Sequence, residues 1–183
     1  MSKEVKSILS NVLYIAAVLL LSFLIVRYVG QRTEVIGNSM VPTLQDGDQL
    51  ITDKITYRFR EPERFDIIVF PHEPVNEFYI KRIIGMPGET VEISEDGGIY
   101  INGELLEEEY GYGITQPQQI LEPVVLGEDE YFVLGDNREV SLDSRYKEVG
   151  ISRGPSLSEE PGCACIPSET SDFLRESDYG RLL

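Results

Sequence analysis

The chain has 183 residues, 42% of them hydrophobic and 26% charged, enough for one folded domain with a real core plus an appended segment. Against 32 acidic side chains there are 16 basic ones, a net charge of -16, which argues against nucleic acid as a partner because phosphate neutralisation needs a basic face. The two cysteines, Cys163 and Cys165, form a C-x-C pair that is a poor zinc signature and too close for an easy disulfide, so the redox compartment cannot be read from them.

The first element is an uncharged run, residues 8–26, "ILSNVLYIAAVLLLSFLIV", long enough to cross a bilayer. Lys3 and Lys6 ahead of it also fit the basic start of a cleavable signal peptide. The run exceeds the usual apolar region of such a peptide, however, and it ends in Arg27, Tyr28 and Arg32 rather than small residues. An uncleaved, single-pass anchor over residues 8–28 is therefore expected, after a short tail at 1–7. Lys3 and Lys6 balance Arg27 and Arg32, so charge counting leaves the orientation open.

Short β-like segments follow: "EVIGNSM", "QLITDKITY", "DIIVFPH", "FYIKRIIG", "TVEIS", "GIYING" and "EYFVLGD". They are rich in Ile, Val, Tyr and Phe, and Gly, Pro, Asp or Asn bound them. "TVEISEDGGIYING" predicts a hairpin. No later stretch keeps a helical period. The expected fold is mainly β, an antiparallel barrel-like or sandwich-like domain over residues 34–149 behind one N-terminal transmembrane helix. Residues 107–123 read as an exposed excursion between strands.

Three segments could carry chemistry. The single histidine, His72, lies between Pro71 and Pro74 and reads as a surface-loop residue, which leaves no imidazole for a triad. No metal site is expected, since ligands do not cluster and no H-E-x-x-H occurs. In "YIKRIIG", alternation puts Lys81 and Arg82 on opposite faces of one strand, so one cation must be partly buried if either face is core. A buried lysine loses its proton more readily and can act as a general base without histidine. An edge strand with two snorkelling cations is the alternative. Ser39, in "GNSMVPTL", would be a weak nucleophile without such a base. Gly37 allows close backbone approach there, Pro42 stiffens the chain, and a simple turn explains the same residues. The third segment, "LGDNREVSLDSRY", crowds Asp, Arg, Ser and Asn behind an apolar strand, as a solvated loop of ion pairs also could.

Together and in this order, "GNSMVPTL", "YIKRIIGMPGE" and "GDNREVSLDSR" resemble the boxes of the type I signal peptidases, membrane-bound serine proteases with a Ser/Lys dyad. The resemblance covers roughly residues 8–149. It implies that Ser39 attacks the scissile carbonyl while Lys81 takes its proton and later returns one to the leaving amine. It implies that Ser141 holds the Lys81 amine by a hydrogen bond, that Asp143 and Arg145 brace the site with Gly135 of the same box, and that Arg82 pairs with Asp143. The backbone N–H of Ser39 would serve the oxyanion, because the position two residues earlier is Gly37 rather than a hydroxyl. Ile36 and Met40 would wall the substrate site. Implied partners are preproteins with signal peptides cut after small residues, the lipid bilayer and the secretion translocon. No cofactor is implied, and the catalytic domain would lie on the extracytoplasmic side of the plasma membrane. A self-cleaving repressor shares the dyad but carries a DNA-binding region where this chain has its anchor. A non-catalytic anchored β-domain is the other alternative.

Residues 150–183 depart from the resemblance, having poor strand patterning where relatives carry a Gly-x-Ala element and a final apolar strand. One codon choice for "SEEPGCACIP", read two bases later, gives G-R-A-W-L-R-V-Y-P. The atypical tail is thus expected to reflect a frameshift near residue 150, with loss of closing strands as its consequence, and a homologue inactivated by that tail is a further alternative to an active peptidase.

Overall fold

The computed structural model describes residues 3–28, 30–53, 56–72, 77–153 and 164–166. A single α-helix, α1 (Lys3–Tyr28), contains the uncharged run, and its apolar side chains stand exposed from Val5 to Ile25. Among the described residues it is the one helix long and apolar enough to cross a membrane. It leads within two residues into the first strand.

Eleven strands follow among the described residues. They are β1 (Gly30–Glu34), β2 (Gln49–Asp53), β3 (Ile67–His72), β4 (Glu77–Gly85), β5 (Thr90–Ile93), β6 (Ile99–Ile101), β7 (Glu104–Leu105), β8 (Val124–Val125), β9 (Glu130–Leu134), β10 (Ser152–Arg153) and β11 (Ala164–Ile166). They build a seven-stranded sheet in the order β1-β2-β11-β3-β4-β9-β10 and a four-stranded sheet in the order β7-β6-β5-β8. Every pairing between these strands is antiparallel. The arrangement is sandwich-like and not a closed barrel. The expected hairpin is β5–β6, with Val91 opposite Ile101 and Ile93 opposite Ile99.

The core follows from alternation on β4 and its neighbours. One face of the large sheet sends Ile84, Phe132 and Leu134 against Val91, Ile93, Ile99 and Ile101 of the small sheet. The other face carries Ile68, Phe70, Ile83, Tyr131 and Val133. A third cluster, Val35, Met40, Leu44, Leu50 and Ile67, seats the segment after β1. Where β4 ends, a side chain at Gly85 would approach Val91 Cγ2 to 2.5 Å and Phe132 Cβ to 2.9 Å, so only glycine lets the sheets meet there.

Two expectations of the fold need correction. "EVIGNSM" is not a strand from residue 34 onward: β1 ends at Glu34, and Gly37, at φ +93°, turns the chain away. His72 is not a surface-loop residue. It is buried at the end of β3 and stacks on Tyr79, ring centroids 4.5 Å apart. The 107–123 segment is, as expected, a mostly exposed excursion between β7 and β8, tied down where Thr115 is buried and Tyr112 bridges to Asn137. Of the atypical tail, residues 150–153 and 164–166 are described and supply β10 and β11; the rest, Cys163 included, lies outside the described residues.

Candidate active site

Lys81 and Arg82 do point to opposite faces of β4, and both are buried, at 4% and 1% exposure. Lys81 pairs across the strands with Ile68, on the face of Phe70 and Ile83. In that apolar setting its Nζ has two neighbours: Ser39 Oγ at 2.9 Å and the Ile80 carbonyl, to which it donates at 2.9 Å. Burial pushes the amine down from the ordinary 10.5 to about 8, because charging it means removing an ion from water. The carboxylates of Asp143 and then Asp136 pull the other way and are too weak to offset the burial.

Ser39 sits in a turn that follows β1 and is tied together from both sides. Val35 donates to Asp48 O at 2.8 Å, Gly47 to Val35 O at 2.9 Å, and the Gly37 N–H to Asp46 Oδ1 at 2.7 Å. The Val41–Pro42 bond is cis. From across the fold, Asn137 N–H donates to the Ser39 carbonyl at 3.0 Å.

The third segment, between β9 and β10, is a buried lattice of ions. Arg82 donates through Nε to Asp136 Oδ1 at 2.8 Å and through Nη2 to Oδ2 at 2.6 Å. Thr43 Oγ1 adds a bond to Asp136 at 2.5 Å. Arg145 grips Asp143 in the same two-toothed way, at 2.8 and 2.9 Å, and Asp143 Oδ2 accepts from Gly135 N–H at 3.1 Å. Such planar pairs satisfy both ions at once, which is why they tolerate burial.

The structure thus brings Ser39 to Lys81 and Asp143 to Arg145. It does not pair Arg82 with Asp143, because Asp136 takes both teeth of the guanidinium. Nor does Ser141 hold the amine. Its Oγ is buried without a partner among the described residues, and the Ile80 carbonyl occupies the Lys81 proton instead. Gly135 packs between the two hydroxyl-bearing segments: a Cβ there would overlap Ser141 Oγ and come within 2.5 Å of the Ser39 carbonyl. Ile36 stands 90% exposed at the site, while Met40 borders it from within the core. Asp136, Thr43 and Asn137 went unassigned in the sequence. Asp136 had a signal, as the first acid of the box, but two aspartates and several cations left the pairing ambiguous.

A groove of about 980 Å³ runs past the pair, between Thr33–Asn38 on one wall and Glu77–Lys81 on the other. On β4 the partner strand β9 meets only Arg82, Ile83 and Gly85, so beside residues 77–81 the edge away from β3 opens on the groove. That is the geometry to which an extended peptide adds as a further strand.

A family model described as "Signal peptidase, peptidase S26" matches residues 8–156. The chain belongs to that family. Among S26 relatives, it is 43% identical over 125 residues to a probable signal peptidase I-2 of a Synechocystis species, covering 65% of this chain and 56% of that protein. To a signal peptidase I of Leptolyngbya laminosa it is 42% identical over 127 residues, covering 65% of this chain and 61% of the relative. The match thus spans less than two thirds of the length of these two relatives. Among solved structures it is similar to a signal peptidase I of Enterococcus faecalis V583, with 38% identity, 51% of this chain and 91% of that one covered, and a TM-score of 0.42.

Proposed function

We propose that this S26 family member is a membrane-anchored serine endopeptidase that removes signal peptides from translocated preproteins. The observation that carries the reading is the 2.9 Å approach of Ser39 Oγ to a buried Lys81 amine whose proton is lost near pH 8. A neutral amine accepts the Ser39 proton as the hydroxyl attacks the scissile carbonyl, and the resulting ammonium returns a proton to the leaving amine. Water then attacks the acyl-Ser39 ester, with Lys81 again the base. Ser39 N–H, without a partner among the described residues, faces the role of oxyanion donor, and Asn137 steadies the peptide unit that follows it.

The remaining parts fit this chemistry. The open edge of β4 receives the extended stretch before the cleaved bond. Ile36 and Tyr79, on facing walls, offer apolar surface that admits small side chains and excludes large ones by overlap. With α1 in a bilayer, Gly30 begins β1 at the membrane, so Ser39 works close to the surface where a membrane-held leader presents its cleavage site. In this reading residues 34–149 are the catalytic domain, on the extracytoplasmic side, and the preprotein, the bilayer and the translocon are its partners.

The test is cleavage of a preprotein by the full chain in detergent, with the product's new N-terminus sequenced. Ser39→Ala and Lys81→Ala should each abolish cleavage while the melting transition persists. Processing near the parent rate by either folded variant overturns the dyad.

A further inference from the structure

Residues 107–116 do not line the groove that holds Ser39 and Lys81, yet they hold the back of the site at three points. Glu108 takes Arg138 in a two-toothed pair, 2.5 Å from Nη1 to Oε1 and 2.7 Å from Nη2 to Oε2. Thr115 Oγ1 accepts from the same guanidinium at 2.7 Å, and Arg138 Nε reaches the Gly135 carbonyl at 3.1 Å. Arg138 is buried, so Glu108 is its counter-charge. Tyr110 lies over Arg82, with 3.8 Å from Cζ to the ring centroid, and leans on Phe65 at 5.3 Å. Tyr112 donates to the Asp136 carbonyl at 2.7 Å and accepts from Arg138 N–H at 3.0 Å.

This last pair explains how the segment reaches the nucleophile. Successive N–H groups of an extended chain point to opposite sides. With Asp136 O and Arg138 N–H committed to Tyr112, the Asn137 N–H between them points the other way, onto the Ser39 carbonyl. The fit is close: a Cβ at Gly111 would come within 2.8 Å of Arg138 Cζ, and Gly113 adopts φ +84° against the Glu139 side chain. The strap therefore fixes Asp136–Arg138, and these residues fix Ser39 and Thr43.

Resting on the Ser39–Lys81 reading, we infer that the 108–115 strap is a positioning element for the nucleophile, acting through Arg138 and Asn137 to keep Ser39 seated over Lys81. Glu108 and Tyr110 are its positioning residues, neither of which the Ser/Lys chemistry requires. Loosening the strap lets the Ser39 turn lift, which misplaces the hydroxyl and admits water to the amine. The charged groups facing that amine are Asp136 and Asp143 from the third segment, with the Tyr79 ring at 5.2 Å. None of these is in the strap, so a change in Lys81 titration on strap mutation reports movement and not a deleted neighbour.

The experiment compares the full chain with Glu108→Gln, Tyr110→Ala and Tyr110→Phe. Two quantities are read: the pH profile of preprotein cleavage, and the titration of Lys81 followed by NMR of carbon-13-labelled lysine, which needs no activity. Glu108→Gln and Tyr110→Ala should lower kcat/KM roughly ten- to hundredfold, the size expected of a displaced reacting group. They should also raise the Lys81 midpoint by about half a pH unit or more as water returns. Tyr110→Phe keeps the ring over Arg82 and should match the parent in both. If Glu108→Gln fails to fold, the Tyr110 pair decides. An unmoved Lys81 midpoint in folded Tyr110→Ala, with activity merely scaled or unchanged, overturns the strap. A parent chain that cleaves nothing overturns the peptidase reading instead, while the NMR titration still judges the strap.

Discussion

Lys81 and Arg82 are neighbours on β4, buried on opposite faces, and among the described residues only Arg82 meets a carboxylate in an ion pair. The same strand thereby holds one cation in a buried ion pair and one that is pressed to lose its charge. Asp136 accounts for the first and apolar surroundings for the second. This asymmetry, repeated nowhere else among the described residues, is what makes a lysine usable as a base near neutral pH.

It sets a pH dependence of two kinds. With Lys81 as the proposed base, cleavage requires its neutral form and should rise with pH and level off above about 8, in a rate profile for the free enzyme. Stability moves in the same direction over a higher window. The folded amine titrates at about 8 and the unfolded one at 10.5, so between these values the unfolded chain binds more protons and stability rises with pH. The burial penalty is complete below pH 8 and amounts to about 3 kcal/mol. Lys81→Met should therefore gain stability at pH 7 and flatten the slope between 8 and 10.5 in urea titrations. An unchanged slope would place the amine in water.

The Arg82–Asp136 pair predicts a different outcome for its own removal. Asp136→Asn leaves a guanidinium with no counter-charge in a site closed to solvent, and such a change costs about 3–5 kcal/mol. Replacing both, as Arg82→Met with Asp136→Leu, removes the unpaired charge and should recover much of that loss. Equilibrium denaturation of Arg82→Met, Asp136→Leu and the double variant gives the coupling directly. Near-additive losses would show that the two side chains do not act as a pair.

What could be read beforehand follows from how local each signal is. Alternating Ile, Val and Phe gave β3, β4, β5, β6 and β9, since a strand's periodicity is written in its own residues. The Ser39–Lys81 partnership was legible from the box resemblance, as was Asp143 beside Arg145, two residues apart. Which acid meets Arg82 was not, because Asp136 and Asp143 lie in one box and only the return of the chain after β9 selects between them. Ser141 failed for a similar reason: its place in the box is local, whereas its distance from the amine depends on packing around Gly135. Glu108 gave no signal at all, standing among three consecutive glutamates of which only it meets buried Arg138. His72 looked exposed between its prolines, and only the register of β3 with β4 brings Tyr79 over it.

Gly135 offers a steric test of the seating of Ser39. A methyl group there would overlap Ser141 Oγ, which can rotate away, but it would also press on the Ser39 carbonyl at 2.5 Å and Ser141 Cβ at 2.6 Å, neither of which yields by rotating a side chain. Gly135→Ala should lower kcat by about a hundredfold, as expected for a misplacement near 1 Å, with KM much less changed. It should also destabilise the fold by about 1–3 kcal/mol, the usual cost of overpacking. Parent-like kcat in the folded variant would show that Ser39 and the third segment are not in contact during the reaction.

The tail supplies the last prediction. β11 is only three residues long and lies between β2 and β3, which have five and six. Among the described residues it meets β3 at Ile67, Ile68 and Val69 but β2 at Asp53 alone, so these three residues pair with little of the slot's β2 edge. In the shifted reading of the codons given above, the bases over residues 164–166 encode R-V-Y, preceded by A-W-L and followed by Pro. The proposed frameshift thus places a longer strand at the same distance along the chain as the slot. A gene carrying that frame from near codon 150 should yield a protein whose extra cross-strand pairs, at about 0.2–1 kcal/mol each, raise its melting temperature by a few degrees. Preprotein cleavage should rise with it. Resequencing the parental gene and melting the restored-frame protein decide the matter: an uninterrupted frame, together with an unchanged or lowered transition, would mean that the present tail is the native one.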